Sequence, residues 1–431
     1  MFISFAVENF RAFADRAELD FACPGFDTVL PREGKSWTDV LSPVAAIFGA
    51  NASGKSTLIM AIEVLGRAVW QQSAGRFLYQ PSLACAEPSP TTNYEADFVV
   101  NGIRYRYTVR AADWGVAFEE LRSYEKRWPR KVFSRSQESL DMPMKFSKGA
   151  ALRGPSDEVR KLTKSSALYL AVALDYGHAG LESIAEALAA GRGIQSFRAN
   201  WSSRSAITGR IIHEMLAGGS DAEDLAEALL RVADVGIESV KVKQERIPPA
   251  LLERMRRSMG DPAVEDEMAP NVPEMRSKVV FVHRGAGGKT FELTLDAQSA
   301  GTQVWLVMSW QALTLMKNGG ILVVDELDES LHPSLVRFLV ELFLNPEYNR
   351  KHAQIIFTTQ DSGLLGNSPV RLLEPASVWF TEKNDEGRSE LFSLADYPIH
   401  PNNNFEKRYL AGAYGAIPRI DDRSLVRWLE N

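Results

Sequence analysis

The chain has 431 residues, of which 45% are hydrophobic and 24% are charged, and these values exclude a wholly disordered or fibrous protein. Its two cysteines, Cys23 and Cys85, are too few for a disulfide framework and lack the spacing of a zinc site. The formal net charge of −6 gives no overall attraction to nucleic acid, although it is compatible with a local basic surface. Because no basic leader precedes an apolar run and no stretch approaches the roughly 18 apolar residues of a membrane span, we expect a cytoplasmic protein that does not contact the membrane.

The first elements follow from hydrophobic periodicity. Residues 2–8 alternate loosely and predict an outer strand, whereas the continuous apolar run of residues 44–48 predicts a buried strand. From Lys55 to Gln72, apolar residues recur at spacings of three and four, which is typical of an amphipathic helix. The order is therefore strand, glycine loop, helix.

The glycine loop, Gly49–Ser56, fits the pattern G-x-x-x-x-G-K-[ST]. Backbone N–H groups of such a loop, together with the positive end of the helix that follows, bind phosphate. Lys55 is expected to neutralise the β and γ phosphates, and Ser56 to supply an oxygen to Mg²⁺, a hard ion that prefers oxygen ligands. The predicted cofactors are therefore ATP and Mg²⁺, and the predicted binding residues of the loop are Asn51, Ala52, Ser53, Gly54, Lys55, Ser56 and Thr57.

Beyond the helix, the sequence predicts a β-rich lobe followed by helical sequence. Two β-rich runs flank Asn101-Gly102, which predicts a tight hairpin, and strand-like sequence continues to about Phe146. From about Pro155 to Glu253 the periodicity is helical, and we interpret this range as a helical insertion.

After the insertion, alternating strand and helix patterns return. A second glycine-lysine segment, Gly285–Thr290, is followed by a strand rather than a helix, so it predicts a hairpin turn and not a second phosphate loop. The predicted division is an N-terminal ATPase lobe with a β subdomain (residues 1–150), a helical insertion and linker (151–275) and a C-terminal ATPase lobe (276–431).

The run Ile321–Val324 ends in Asp325 and Glu326, which is the pattern of a buried strand that delivers acids at its carboxyl end. Asp325 suits the magnesium shell. Glu326 suits the position beside the γ phosphate, where a carboxylate orients or deprotonates the attacking water. Acidic residues at a strand end also cap helices or meet solvent, but the phosphate loop favours the catalytic interpretation.

The segment Ser299-Ala300-Gly301-Thr302-Gln303 resembles the signature motif of ABC ATPases in its SMC and RecF-like form. That resemblance implies that Ser299, Gly301 and Thr302 contact the γ phosphate bound by a partner protomer, because small residues and a helix start form an anion site. A plain serine-glycine helix entry is the alternative.

The segment from Ile355 to Asp361 resembles the family's switch strand, whose end usually carries a histidine that contacts the γ phosphate. Here Gln360 occupies that place, and we expect it to be catalytic together with Glu326. A glutamine donates a hydrogen bond to phosphate but cannot carry the charge of an imidazolium, which leaves the turnover rate open.

The two ends of the chain, Val7–Phe13 and Glu406–Pro418, resemble SMC-, RecF- and OLD-like stand-alone ATPases of bacterial phage-defence and abortive-infection systems, such as RloA, AbiL and the PARIS ATPase component. The resemblance implies an α/β P-loop NTPase of ABC ATPase type with a β-rich N-terminal lobe and a helical insertion. It also implies an ATPase that works as a head-to-tail homodimer or larger homo-oligomer, responds to a phage-derived trigger and controls a separately encoded effector, such as a TOPRIM-type nuclease.

The same resemblance implies roles for two further residues. Arg11 is expected to contact the nucleotide, as basic residues at this place do in the wider family, and a surface role is the alternative. In the family a glutamine completes the magnesium shell; no clear local motif identifies it here, and Gln80, at a suitable distance along the chain, is the candidate.

Two other functions remain open from the sequence. A RecF-like DNA-repair or DNA-binding ATPase would make DNA a partner, and the segment from Arg122 to Arg135 interleaves basic residues with Tyr124, Trp128 and Phe133. An ATP-stabilised scaffold with little turnover is compatible with Gln360. A transporter subunit is disfavoured, because 270 residues separate Lys55 from Asp325, far more than a compact transporter head needs.

Overall fold

The computed structural model describes residues 1–85, 90–150, 152–198, 220–233, 236–250, 252, 275–400 and 403–418. The chain divides into two compact units. The first consists of residues 1–198, 312–329 and the described residues from 336 onward, and the second consists of the described part of residues 199–311 together with Ser330–Leu335. The three-part division drawn from the sequence stays a prediction.

In the described part of the first unit, one antiparallel sheet has seven strands in the order β2-β1-β4-β5-β6-β7-β8. Its strands are β1 (Phe2–Glu8), β2 (Ala17–Asp20), β4 (Thr92–Val100), β5 (Ile103–Ala112), β6 (Gly115–Tyr124), β7 (Arg130–Ser136) and β8 (Lys145–Lys148). The prediction that residues 2–8 form an outer strand is wrong, because β1 lies between two neighbours and buries six of its seven side chains. The hairpin prediction is confirmed, since Asn101 (φ 51°) and Gly102 (φ 79°) form the two-residue turn between β4 and β5.

The second sheet of this unit has six described strands in the order β16-β15-β3-β14-β13-β9. They are β3 (Val44–Gly49), β9 (Ile194–Arg198), β13 (Ile321–Asp325), β14 (Gln354–Thr358), β15 (Val378–Lys383) and β16 (Ser389–Ser393). All neighbours pair in parallel except β16, which pairs antiparallel with β15. Strand β9 lies within the range predicted to be helical. Its five residues gain their structure from pairing with β13, a partner more than a hundred residues away along the chain.

Helix α1 (Lys55–Trp70) supplies the centre of the core in this unit. Its buried side chains form one hydrophobic cluster with residues of both sheets and of the short helices α2 (Ser156–Leu162), α3 (Tyr169–Asp175) and α4 (Glu182–Leu188). Gln354 also joins the sheets, because its Oε1 accepts from Phe2 N at 2.5 Å and its Nε2 donates to Phe2 O at 2.9 Å. Helices α7 (Pro333–Leu344) and α8 (Phe405–Leu410) follow later in the chain.

The described part of the second unit combines α5 (Ser220–Val232), the start of α6 (Ala300–Asn318) and an antiparallel sheet in the order β10-β11-β12. The strands are β10 (Ile237–Arg246), β11 (Met275–Arg284) and β12 (Thr290–Thr294). Strand β10 is a second strand within the range predicted to be helical. The turn between β11 and β12 contains Gly287 and Gly288, so the prediction of a hairpin there is confirmed. No described helix is both long enough and apolar enough to cross a membrane.

Candidate nucleotide-binding site

The candidate site lies at the carboxyl edge of the parallel sheet. Strands β3, β13 and β14 are parallel neighbours, so Gly49, Asp325 and Thr358 come together at the ends of their strands. This is the edge at which open α/β sheets bind ligands.

The phosphate loop is packed tightly against strand β15. Gly49 has φ 151°, and a side chain there would place Cβ 2.4 Å from the backbone oxygen of Thr381. Ser53 Oγ and Thr381 Oγ1 lie 2.6 Å apart, which fixes the middle of the loop to the sheet. Gly54 (φ 113°) then lets the chain turn into α1, and the amino end of a helix is the end that attracts anions.

Lys55 is buried, with 7% of its surface exposed. Its ammonium group donates to Gly49 O at 2.7 Å and to Ala50 O at 2.9 Å, so the loop's own carbonyl groups hold it beside the cleft. Burial lowers the pKa of Lys55, whereas the carboxylates of Glu326 and Asp325 act in the opposite direction.

Ser56 of the phosphate loop and Asp325 at the end of β13, both predicted magnesium ligands, are in contact. Ser56 Oγ donates to Asp325 Oδ1 at 3.0 Å, although the two residues are 269 positions apart. A hydroxyl and a carboxylate are oxygen donors of the kind that Mg²⁺ takes. The described residues include no group of three His, Cys, Asp or Glu side chains that could hold a metal ion.

Glu326 and Gln360 face the same cleft, which has a volume of about 470 Å³ and is lined by Ala12, Asn51, Ala52, Ser53, Gly54, Lys55, Ser56, Thr57, Glu326 and Gln360. Partial desolvation raises the pKa of Glu326, and the nearby charges of Asp325, Glu329 and Asp328 add to the increase. The backbone N of Gln360 donates to both carboxylate oxygens of Asp328 at 3.3 Å. The structure therefore brings all seven loop residues and both predicted catalytic residues to one site.

A family profile matches most of the chain. The AAA_21 family, an AAA domain family whose description names the AbiEii toxin and the type IV TA system, matches residues 44–366. The chain belongs to this family. The match includes the phosphate loop and the acidic pair, and it confirms the predicted α/β P-loop NTPase fold, whereas the ABC type stays a prediction.

A comparison with curated proteins finds no match. Among solved structures, the AAA_21 protein is similar to an SMC head bound to the C-winged helix domain of ScpA, with 13% identity, a TM-score of 0.42 and coverage of 91% of this chain and 97% of that chain. It is also similar to the SMC head domain from Thermotoga maritima, with 13% identity, a TM-score of 0.40 and coverage of 92% and 99%. A third similar structure is a Pyrococcus furiosus SMC head domain with an extended coiled coil, bound to the C-terminal domain of ScpA. The identity is 12%, the TM-score is 0.42, and the match covers 91% of this chain and 96% of that chain.

The predicted signature segment of the AAA_21 protein lies in the second unit, at the start of α6. Ser299 Oγ accepts from Thr302 N at 3.1 Å and lies 2.8 Å from Thr302 Oγ1, so Ser299 caps the helix. A side chain at Gly301 would approach Ser330 O to 2.7 Å, which explains the small residue. These contacts are those of a helix entry, and the role of the segment in a partner's site stays a prediction.

Arg11 and Gln80, which the sequence singled out separately, bind each other. Arg11 Nε donates to Gln80 Oε1 at 2.6 Å, Arg11 N donates to Gln80 O at 2.9 Å, and Gln80 Nε2 donates to Phe77 O at 2.7 Å. Neither residue is among those that line the cleft. Gln80 would have to leave Arg11 to join a magnesium shell, so both predicted roles remain predictions.

Two buried threonines that no sequence pattern indicated, Thr358 and Thr381, support the site. Thr358 Oγ1 donates to Asp325 Oδ1 at 2.8 Å, and Thr381 contacts Ser53 as described above. Each is a polar residue at or near the end of an apolar strand, which is the one signal that could have indicated them. Their partners lie on other strands, and no local pattern identifies such partners.

Proposed function

We propose that this AAA_21 protein is an ATP-binding and ATP-hydrolysing molecular switch. The observation that carries the proposal is the arrangement of one cleft: Lys55 lies in the phosphate loop, Ser56 contacts Asp325 at 3.0 Å, and Glu326 follows at the next position. This combination suits phosphoryl transfer, in which positioning and charge stabilisation supply most of the catalysis.

Each residue has a chemical role in this proposal. The loop N–H groups and the Lys55 ammonium would hold the β and γ phosphates, and Ser56 and Asp325 would hold Mg²⁺. The ion supplies charge neutralisation on the phosphate oxygens when it is bound. Glu326, whose pKa is raised above its ordinary value, would orient the attacking water and accept its proton. Gln360 would donate a hydrogen bond to the γ phosphate from the same cleft.

We further propose that two copies of the protein act together in the cytoplasm. In a head-to-tail homodimer, or a larger homo-oligomer, Ser299, Gly301 and Thr302 of one protomer would complete the cleft of its partner. The cleft is open and both Glu326 and Gln360 are exposed, which leaves room for such a contribution. ATP would favour the closed dimer because it would contact both protomers, and hydrolysis of ATP would allow the dimer to open.

The biological role in this proposal is anti-phage defence. The protein would sense a phage-derived trigger and control a separate effector, for example a TOPRIM-type nuclease. Support comes from the family description, which names the AbiEii toxin and the type IV TA system, and from the resemblance of the two chain ends to stand-alone defence ATPases.

The contacts of the β lobe bear on the DNA-binding alternative. Arg122 binds Glu120, Arg130 lies 3.6 Å from Glu125, and Arg135 is buried beside Glu119. The neighbouring carboxylates reduce the positive charge that these three arginines offer to phosphate, which counts against this segment as a DNA-binding surface. If the protein bound DNA, ATP turnover would depend on DNA, and the affinity for DNA would fall steeply with increasing salt.

Steady-state phosphate release with ATP and Mg²⁺ tests the proposal. We expect Lys55→Ala to weaken ATP binding and Glu326→Gln to keep ATP binding while lowering kcat by about a hundredfold or more. Lys289→Ala is the matched control, because Lys289 follows glycines in an exposed hairpin turn and should leave turnover unchanged.

Specific activity of the wild type should rise with protein concentration if two heads form each site. Tight ATP binding without turnover in the wild type would instead support the ATP-stabilised scaffold. Loss of turnover in Lys289→Ala as large as in Lys55→Ala would argue against the assigned phosphate loop.

A further inference from the structure

Thr358, the last residue of β14, contacts all three residues of the acidic turn, which we define as Asp325–Leu327 at the end of β13. It is 0% exposed. Its hydroxyl donates to Asp325 Oδ1 at 2.8 Å and accepts from Glu326 N at 2.7 Å. Its carbonyl oxygen accepts from Leu327 N at 2.9 Å. One buried residue on the neighbouring strand therefore holds three consecutive residues of the turn.

The hydroxyl of Thr358 matters because of the backbone at Glu326. Glu326 has φ 58°, in the left-handed region that residues other than glycine disfavour. A residue stays in such a conformation only when its surroundings hold it there. The two hydrogen bonds from the N–H groups of Glu326 and Leu327 to Thr358 provide that restraint, and they set the direction in which the Glu326 side chain leaves the strand.

The same hydroxyl also restrains Asp325. Asp325 Oδ1 accepts from both Thr358 Oγ1 and Ser56 Oγ, at 2.8 Å and 3.0 Å. Since a hydroxyl has one proton, and Thr358 donates it to Asp325, its oxygen is left to accept from Glu326 N. The orientations of the carboxylate and of the turn are thus coupled through a single oxygen atom.

We propose that Thr358 is a positioning residue that holds the Asp325 carboxylate and the Glu326 backbone in the arrangement needed for hydrolysis. The inference rests on the proposed ATPase function. It assigns to Thr358 no contact with ATP or with the reacting atoms. Hydrogen-bond partners that orient a ligand or catalytic group typically affect metal affinity or activity by about tenfold to a hundredfold.

The test compares Thr358→Val, which keeps the shape but removes the hydroxyl, with Thr358→Ser, which keeps the hydroxyl. Ser42→Ala is the matched control for loss of a buried hydroxyl, because Ser42 Oγ is likewise buried and hydrogen-bonded, to Val44 O, Val44 N and Ser377 Oγ, just before β3 begins. For each protein, the measurements are kcat, KM, melting temperature and the affinity for a fluorescent ATP analogue with EDTA and with increasing Mg²⁺.

We expect Thr358→Val to lower kcat by about tenfold to a hundredfold and to reduce the gain in nucleotide affinity that Mg²⁺ provides. Affinity in EDTA should stay within about threefold of the wild type, because the phosphate loop is intact. Thr358→Ser should recover most of both losses. Ser42→Ala should lower the melting temperature without changing kcat or the Mg²⁺ effect.

Wild-type kcat and Mg²⁺ response in Thr358→Val would overturn the inference, as would a Thr358→Ser variant as impaired as Thr358→Val. An equal loss of kcat in Ser42→Ala would reduce the effect to general destabilisation and overturn it too. If the wild type binds the analogue but does not hydrolyse ATP, the Mg²⁺ effect on affinity still decides the role of Thr358. If the wild type does not bind it, the proposed function fails first and the inference falls with it.

Discussion

At the scale of single residues, the candidate site depends on close backbone packing as much as on charge. Gly49 ends β3 at a point where the backbone of Thr381 on β15 leaves no space for a side chain. The phosphate loop therefore begins from a position that only glycine can occupy. This requirement explains the first glycine of the motif in terms of the protein's own packing, before any ligand is considered.

We predict that Gly49→Ala disrupts the loop. The added Cβ would lie 2.4 Å from Thr381 O and 2.7 Å from Ser53 Oγ, so the loop or β15 must shift, and we expect ATP affinity to fall by about tenfold or more because the N–H groups lose their alignment. Gly34→Ala is the control, since Gly34 also has a positive φ (80°) but no atom within 4 Å of the added Cβ. Binding of a fluorescent ATP analogue measures the effect, and equal affinities for the two variants would contradict the packing argument.

At the scale of elements, a buried ion pair connects the β lobe to a helix. Glu119 on β6 lies 3.1 Å from Arg135 Nε on β7, and both side chains are almost fully buried. Glu119 also accepts from Tyr107 OH on β5 and from the first two N–H groups of α3, those of Tyr169 and Leu170. One carboxylate thus caps a helix and joins three strands, which fixes the position of α3 on the sheet.

We predict that Glu119→Gln destabilises the protein by about 3–5 kcal/mol, because it leaves a buried guanidinium without its countercharge. The double variant Glu119→Gln with Arg135→Met should recover part of the loss. Urea unfolding followed by far-UV circular dichroism measures the free energies. Glu138→Gln, which breaks the exposed pair with Lys145, is the control and should cause no measurable change. A Glu119→Gln variant as stable as this control would show that the buried pair does not support the fold.

At the scale of the whole molecule, two histidines link stability to pH. His352 lies before β14, and its Nε2 contacts Leu41 O at 2.9 Å at the amino edge of the parallel sheet, opposite the candidate site. Burial lowers the pKa of His352 below its ordinary value of 6.5, while the nearby Asp39 acts in the opposite direction. Burial also lowers the pKa of His178, which lies before α4. The unfolded chain therefore takes up protons at pH values where the folded protein does not.

We predict that the free energy of unfolding falls as the pH drops from the ordinary histidine value of 6.5 toward the lower pKa values of the folded state. In that window the unfolded state binds more protons, so stability decreases with decreasing pH. Above the window both states are neutral at these positions and the effect disappears. Urea unfolding between pH 7.5 and 5.5 tests this prediction, and these limits lie about one unit on either side of the reference histidine value. His352→Gln and His178→Gln should each flatten the slope, and the double variant more so. An unchanged slope in the double variant would rule out both histidines as its source.

The amino-acid sequence by itself determined the local units of the site. The phosphate loop, α1, the strand that ends in Asp325, the hairpin at Asn101-Gly102 and the turn at Gly287 all follow from patterns within about twenty neighbouring residues, and the structure has them at the predicted places. Backbone geometry imposes such patterns directly, through glycine at positive φ, continuous apolar runs and helical periodicity.

Only the tertiary structure decided what depends on pairing between distant segments. Ile194–Arg198 forms a strand beside β13, and β1 lies between two other strands of its sheet. Arg11 hydrogen-bonds Gln80, and Thr358 hydrogen-bonds Asp325. In each case a short segment with a weak local preference takes its structure or its contacts from a partner far away in the chain. Because burial and strand pairing outweigh local propensity, no pattern within those segments could have predicted the result.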